Sequence, residues 1–62
     1  MKSYKIKFDD ASEAGFPAKD LEEAHSIAVD YAEESYYKLY LKELDGRSPA
    51  GYFWRFVGDN NA

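Results

Sequence analysis

Hydrophobic and polar positions along the chain fall into three periodic segments. From Ser3 to Phe8, Tyr4, Ile6 and Phe8 alternate with Ser3, Lys5 and Lys7. A period of two predicts a strand with one buried face. From Asp9 to Ala18 the pattern breaks. Asp, Ser, Gly15 and Pro17 favour turns, so this stretch reads as a loop. A helical period then starts near Asp20. Asp20 with Glu23 three residues on resembles a capping box. At about 100° per residue, Leu21, Ala24, Ile27, Ala28, Tyr31 and Ala32 share one face. Glu22, Glu23, Ser26, Asp30, Glu33 and Glu34 share the other, Val29 lies on the flank, and the helix is expected to end near Ser35.

Alternation returns from Tyr36 to Leu41. Tyr37, Leu39 and Leu41 form one set, and Tyr36, Lys38, Tyr40 and Lys42 the other. Asp45-Gly46 marks a turn, which Pro49 and Gly51 make longer than two residues. In the last segment Tyr52, Trp54 and Phe56 alternate with Phe53, Arg55 and Val57. Residues 58–62 read as a polar, flexible tail. The expected architecture is α+β in the order β-α-β-β, with one amphipathic helix on a three-stranded, mainly antiparallel sheet. Strand order 1-3-2 is favoured; the alternative pairs the first strand parallel with the second through a crossover. The expected core is Tyr4, Ile6, Phe8, Leu21, Ala24, Ile27, Ala28, Tyr31, Tyr37, Leu39, Leu41, Trp54 and Phe56. Alanines on the helix let it lie close to bulky sheet residues.

Sixty-two residues fit one compact domain, 1–62. There is no cysteine and one histidine, which excludes a disulfide framework and a Cys/His zinc site. No apolar run approaches the roughly 20 residues of a membrane span, and no signal-peptide pattern is visible. A cytoplasmic setting is expected. His25 and Ser26 are adjacent on the helix, so they point about 100° apart and do not form a nucleophile–base pair. Residues 10–21 lack the bidentate glutamate of an EF-hand, since position 12 is Leu21. No phosphate loop is present. The reading is a non-enzymatic protein with no cofactor and no metal.

Charge placement says more. Twelve acids against eight bases give a net charge of −4. The helix segment from Asp20 to Glu34 holds six of the acids and neither Lys nor Arg. Its face of Glu22, Glu23, Asp30, Glu33 and Glu34 is a candidate partner-binding surface. Asp9 and Asp10, with Glu13, would extend it if the loop folds toward the helix N-terminus. Such a surface steers basic partners and is weakened by salt. The bland alternative is a solvated face that keeps a small protein in solution. The open sheet face is expected to carry Lys5, Lys7, Tyr36, Lys38, Tyr40, Lys42, Phe53 and Arg55. Aromatics interleaved with bases can stack single-stranded bases and neutralise phosphates. The same residues also suit an edge-protected sheet surface, a peptide site or a contact between two copies. A monomer or weak homodimer is expected.

A short, acidic, cysteine-free domain with an all-acidic helix resembles the small phage-borne inhibitors of bacterial nucleic-acid machinery, the anti-CRISPR proteins above all. Glu22, Glu23, Asp30, Glu33 and Glu34 carry the likeness, which is one of size, charge and layout across the chain. It implies an inhibitor that binds a basic protein or ribonucleoprotein effector complex in a bacterial host cell. It would block target-DNA binding or cleavage by acting as a nucleic-acid mimic. Lys19-Asp20-Leu21-Glu22-Glu23-Ala24 also resembles the helix start of small β-α-β modules, including HicB-type antitoxin domains. The chain is read here without the extra N-terminal hairpin of that pattern.

Overall fold

A computed structural model describes residues 1–60. It shows an α+β fold with five elements: β1 (Lys2–Phe8), β2 (Glu13–Ala18), α1 (Leu21–Ala32), β3 (Tyr37–Leu44) and β4 (Tyr52–Asp59). The sheet has four strands, all antiparallel, in the order β2-β1-β3-β4.

The additional strand is β2, within the segment expected to be a loop. Gly15 and Pro17 hid it. Both are tolerated because β2 is an edge strand, where a missing N–H costs no central ladder bond. Its alternation is real: Phe16 and Ala18 are buried and Ala14 is half-buried, while Glu13, Gly15 and Pro17 are exposed. The turn before it is tight. Ala11 adopts φ 69°, and Asp10 Oδ1 accepts hydrogen bonds from the Ser12 backbone N–H and hydroxyl. The N-terminal hairpin set aside in the comparison with HicB-type domains is therefore present.

This hairpin also changes the strand order. β2 returns the chain to the start of β1, since Ala18 lies opposite Lys2. The helix then runs back, and β3 begins with Tyr37 opposite Phe8. β1 and the first strand after the helix are thus antiparallel neighbours, not separated as in the 1-3-2 order and not parallel as in its alternative.

Asp20 caps the helix as expected. Its Oδ1 accepts the Glu23 N–H at 2.9 Å, and Glu23 Oε1 accepts the Lys19 N–H at 3.3 Å. The helix ends at Ala32, three residues early. Glu33 takes φ 56°, ψ −111° while the Ser35 N–H bonds to the Ala32 carbonyl. These angles are those of the first central residue of a type II′ turn, a place that favours glycine.

The core comprises Tyr4, Ile6, Phe16, Ala18, Ala24, Ala28, Ala32, Tyr37 and Leu39. Phe8, Ile27 and Leu41 pack partly against it, as does Val57. Only the alanine ridge of the helix is fully buried. Leu21 is 40% and Tyr31 53% exposed; both were expected inside. Tyr31 instead stacks on Phe16 at the rim, with ring centroids 5.9 Å apart. The helix packs over β1, β2 and β3 and leaves most of β4 uncovered.

β4 corrects the core again. A register shift between Leu39 and Tyr40 marks a bulge: Leu39 faces Gly58, but Tyr40 faces Phe56. A shift of one residue exchanges the two faces of a strand. Tyr52, Trp54 and Phe56 consequently lie on the open face, opposite Leu44, Lys42 and Tyr40. Phe53 and Arg55, expected on the open face, lie on the helix side beyond the helix, where Arg55 forms an ion pair with Glu43. The polar tail is also shorter than expected. Gly58 and Asp59 belong to β4, and Asn60 bonds to the Tyr37 N–H and the Ser35 carbonyl. The remainder of the expected tail, 61–62, lies outside the described residues. Gly58 has a packing reason: a Cβ there would approach His25 Nε2 to 3.1 Å.

Candidate functional site: the open face of the sheet

The face of the sheet away from the helix gathers side chains from all four strands. Because opposite residues share a face, the pairings place Lys5 beside Tyr40, Tyr40 beside Phe56, and Lys42 beside Trp54. Lys5 Nζ lies 4.7 Å from the Trp54 ring centroid and 5.6 Å from that of Tyr40. Lys42 Nζ lies 4.2 Å over Tyr52. Tyr40 meets Phe56 edge-on at 5.7 Å, and Tyr52 meets Trp54 edge-on at 6.2 Å. Four rings and two ammonium groups make one continuous strip. Lys7 and Lys38, opposite each other, extend it. Tyr36 leads into β3 and donates its hydroxyl to Asp59 at 3.1 Å. Burial and this bond raise its phenol above the ordinary value of 10.0.

The acids of this face are Glu13, 3.5 Å from Lys5, Asp59, opposite Lys38, and at its margin Asp9, in a hollow with Lys7, Tyr36 and Lys38. Against them stand four lysines, so the local balance is positive although the chain is net negative. Phe56 is 51% exposed and the other three rings are half-buried, so ring surface is available.

The other candidate surface is less continuous than its sequence suggests. Glu22 and Glu23 sit by the helix start with Lys19, Asp20 and Ser26 around a shallow hollow. Asp30 lies farther along, in an adjoining hollow that it lines with Glu22, His25, Ser26 and Val29. Glu33 and Glu34 fall beyond the helix, so the expected acidic face is cut at Ala32. Asp9 and Asp10 meet the opposite end from that expected: with Glu33, Tyr31 and Ser35 they line a hollow at the helix C-terminus. Several acids have local tasks. Asp20 and Glu23 cap the helix, and Asp10 holds its turn. The bonds from Ser12 hold the Asp10 carboxyl below the usual carboxylate range.

His25 is half-buried, with Nδ1 3.0 Å from the Tyr37 hydroxyl. Among the described residues no group of three or more His, Asp or Glu could hold a metal ion, and no helix is long and apolar enough to cross a membrane. The sequence reading missed Tyr52, Trp54 and Phe56 as open-face residues. Both alternating sets of β4 carry large apolar residues, and Arg55 marks the helix-side set as polar, so only the pairing with β3 fixes which set faces outward. No family model matches the chain, and neither a curated protein nor a solved structure matches it.

Proposed function

We propose that the protein is a non-enzymatic binding module whose open sheet face takes single-stranded nucleic acid. The observation that carries this is the strip of Tyr40, Phe56, Trp54 and Tyr52 threaded with Lys5 and Lys42 on one solvent-facing surface. An exposed ammonium–ring contact contributes about 0.5–1 kcal/mol. A base stacked on an aromatic ring contributes about 1–3 kcal/mol. A strand laid on the face exchanges the weaker contact for the stronger one. Each displaced lysine is then free to meet a phosphate. The lysines thus occupy the stacking sites in the free protein and neutralise the backbone in the complex.

Trp54 is the one tryptophan, so its emission reports on the centre of the strip. Titration with a short oligothymidylate should quench it, and a duplex of equal length should not. Affinity should fall with salt at a slope of about −0.7 per lysine engaged. Lys5→Glu with Lys42→Glu should abolish quenching while circular dichroism stays native. No quenching by any single strand at low salt would refute the reading.

A second reading has its own support: the helix carries neither Lys nor Arg, and the β1–β2 turn brings Asp9 and Asp10 to Glu33. This acidic layer would dock on a basic, nucleic-acid-handling protein complex, as an anti-CRISPR-type inhibitor does. Its test is capture from nuclease-treated bacterial lysate. Glu22→Lys, Asp30→Lys and Glu34→Lys together should lose a salt-released complex that the double lysine variant keeps; the opposite pattern excludes it.

A further inference from the structure

The two edges of the sheet are protected unequally. β2 is six residues long and carries Gly15 and Pro17, which blunt an edge against further pairing. β4 is eight residues long, contains no proline or lysine, and pairs with β3 alone. Its single base, Arg55, is engaged by Glu43. The helix does not shield it. A long unguarded edge is a template for another strand.

The bulge defines what that strand would be. It ends the regular part of β4 at Phe56, so the unbroken edge runs from Tyr52 to Phe56, with Trp54 at its middle. This segment is self-complementary. In an antiparallel pairing of two copies about Trp54, Trp54 faces its own counterpart and Tyr52 faces Phe56 on the open side. On the helix side Phe53, 40% exposed, faces Arg55. Every opposed pair is aromatic with aromatic or aromatic with cation, the pairs that stabilise a sheet. Centring instead on Arg55 would oppose two like charges.

We propose that β4 is a homodimerisation edge, with two copies pairing antiparallel about Trp54 into one eight-stranded sheet. The inference does not depend on nucleic-acid binding. It has the consequence that the two open faces join into one surface with an aromatic seam at its centre. A twofold axis perpendicular to the sheet keeps both helices on the other side. The association is isologous, so it closes at two copies and leaves only the blunted β2 edges outside.

The chain has no cysteine, so single cysteines report position cleanly. Sedimentation equilibrium of the unaltered protein should show mass rising with concentration from one chain toward two and no further. Under mild oxidation Trp54→Cys should form a disulfide-linked dimer at least about tenfold faster than Gly15→Cys on β2 or Ser26→Cys on α1, because a formed pair supplies a high effective concentration. A register test keeps Trp54 intact: Phe53→Cys mixed with Arg55→Cys should cross-link more than either variant alone. Trp54→Lys, which opposes two charges at the axis, should sediment as one chain with native circular dichroism. A single-chain mass at every concentration overturns the proposal. So does a dimer that Trp54→Lys leaves intact, or cross-linking that is equal at all positions.

Discussion

Glu33 is the residue most at odds with its backbone. At φ 56° a side chain is strained by about 1–3 kcal/mol, and the place favours glycine. Glu33 also puts negative charge at the helix end where the dipole is already negative. Glu33→Gly should therefore stabilise the fold by about 1 kcal/mol, net of the entropy glycine adds to the unfolded chain; urea denaturation measures this. Tyr4 is the other telling residue. Burial, aided by the Asp20 charge and opposed by Arg55, raises its phenol above 10.0. The fold thus favours the neutral phenol. That contribution is complete below pH 10 and is lost as pH rises through the higher folded value. Tyr37 is raised in the same direction by burial and by Asp59. Ellipticity should fall together with the rise of tyrosinate absorbance, and Tyr4→Phe should move that alkaline midpoint upward.

At the scale of elements, the helix rests on a ridge of Ala24, Ala28 and Ala32. A methyl is all that fits between its backbone and Tyr4, Ile6 and Leu39. Ala28→Leu should overpack this contact and cost about 1–3 kcal/mol, read as a lower midpoint in thermal unfolding. The same scale shows what was legible in the sequence. α1, β1 and β3 follow from their periods, and the Asp20 cap follows from its spacing to Glu23. β2 was hidden because Pro17 signals a break in a central strand but is allowed on an edge. The facing of β4 was hidden because Tyr52, Trp54 and Phe56 are no more apolar in pattern than Phe53 and Val57. Which set faces out depends on a bulge against Leu39 and Tyr40, a property of two strands together. The lysines of the candidate face, Lys5, Lys7, Lys38 and Lys42, were placed by alternation alone. Its aromatic half needed the pairing.

Across the whole molecule the charges separate into two layers. Acids dominate the helix side and the β1–β2 turn, while four lysines and four rings dominate the open sheet. This gives a small acidic chain one face with a local excess of lysine. Salt should report the asymmetry. The proposed binding of single strands through the face should weaken as salt rises, whereas the fold, whose ion pairs Lys5–Glu13 and Arg55–Glu43 are partly exposed, should change little. Thermal unfolding at low and moderate salt should differ far less than strand affinity does.

The helix meets the sheet through three buried methyl groups, with Ile27, the Tyr31–Phe16 stack and the His25–Tyr37 hydrogen bond at the margins, and that has a dynamic meaning. The strands are tied to one another by a continuous ladder and by Asn60, which bonds across to the start of β3. The helix has only a narrow seam. Amide hydrogens of α1 should exchange with solvent by a local lifting that the amides of Ile6 and Leu39 do not share. The rings and lysines of the open face thus ride on the slowest-opening part of the protein, while the acidic layer breathes behind them.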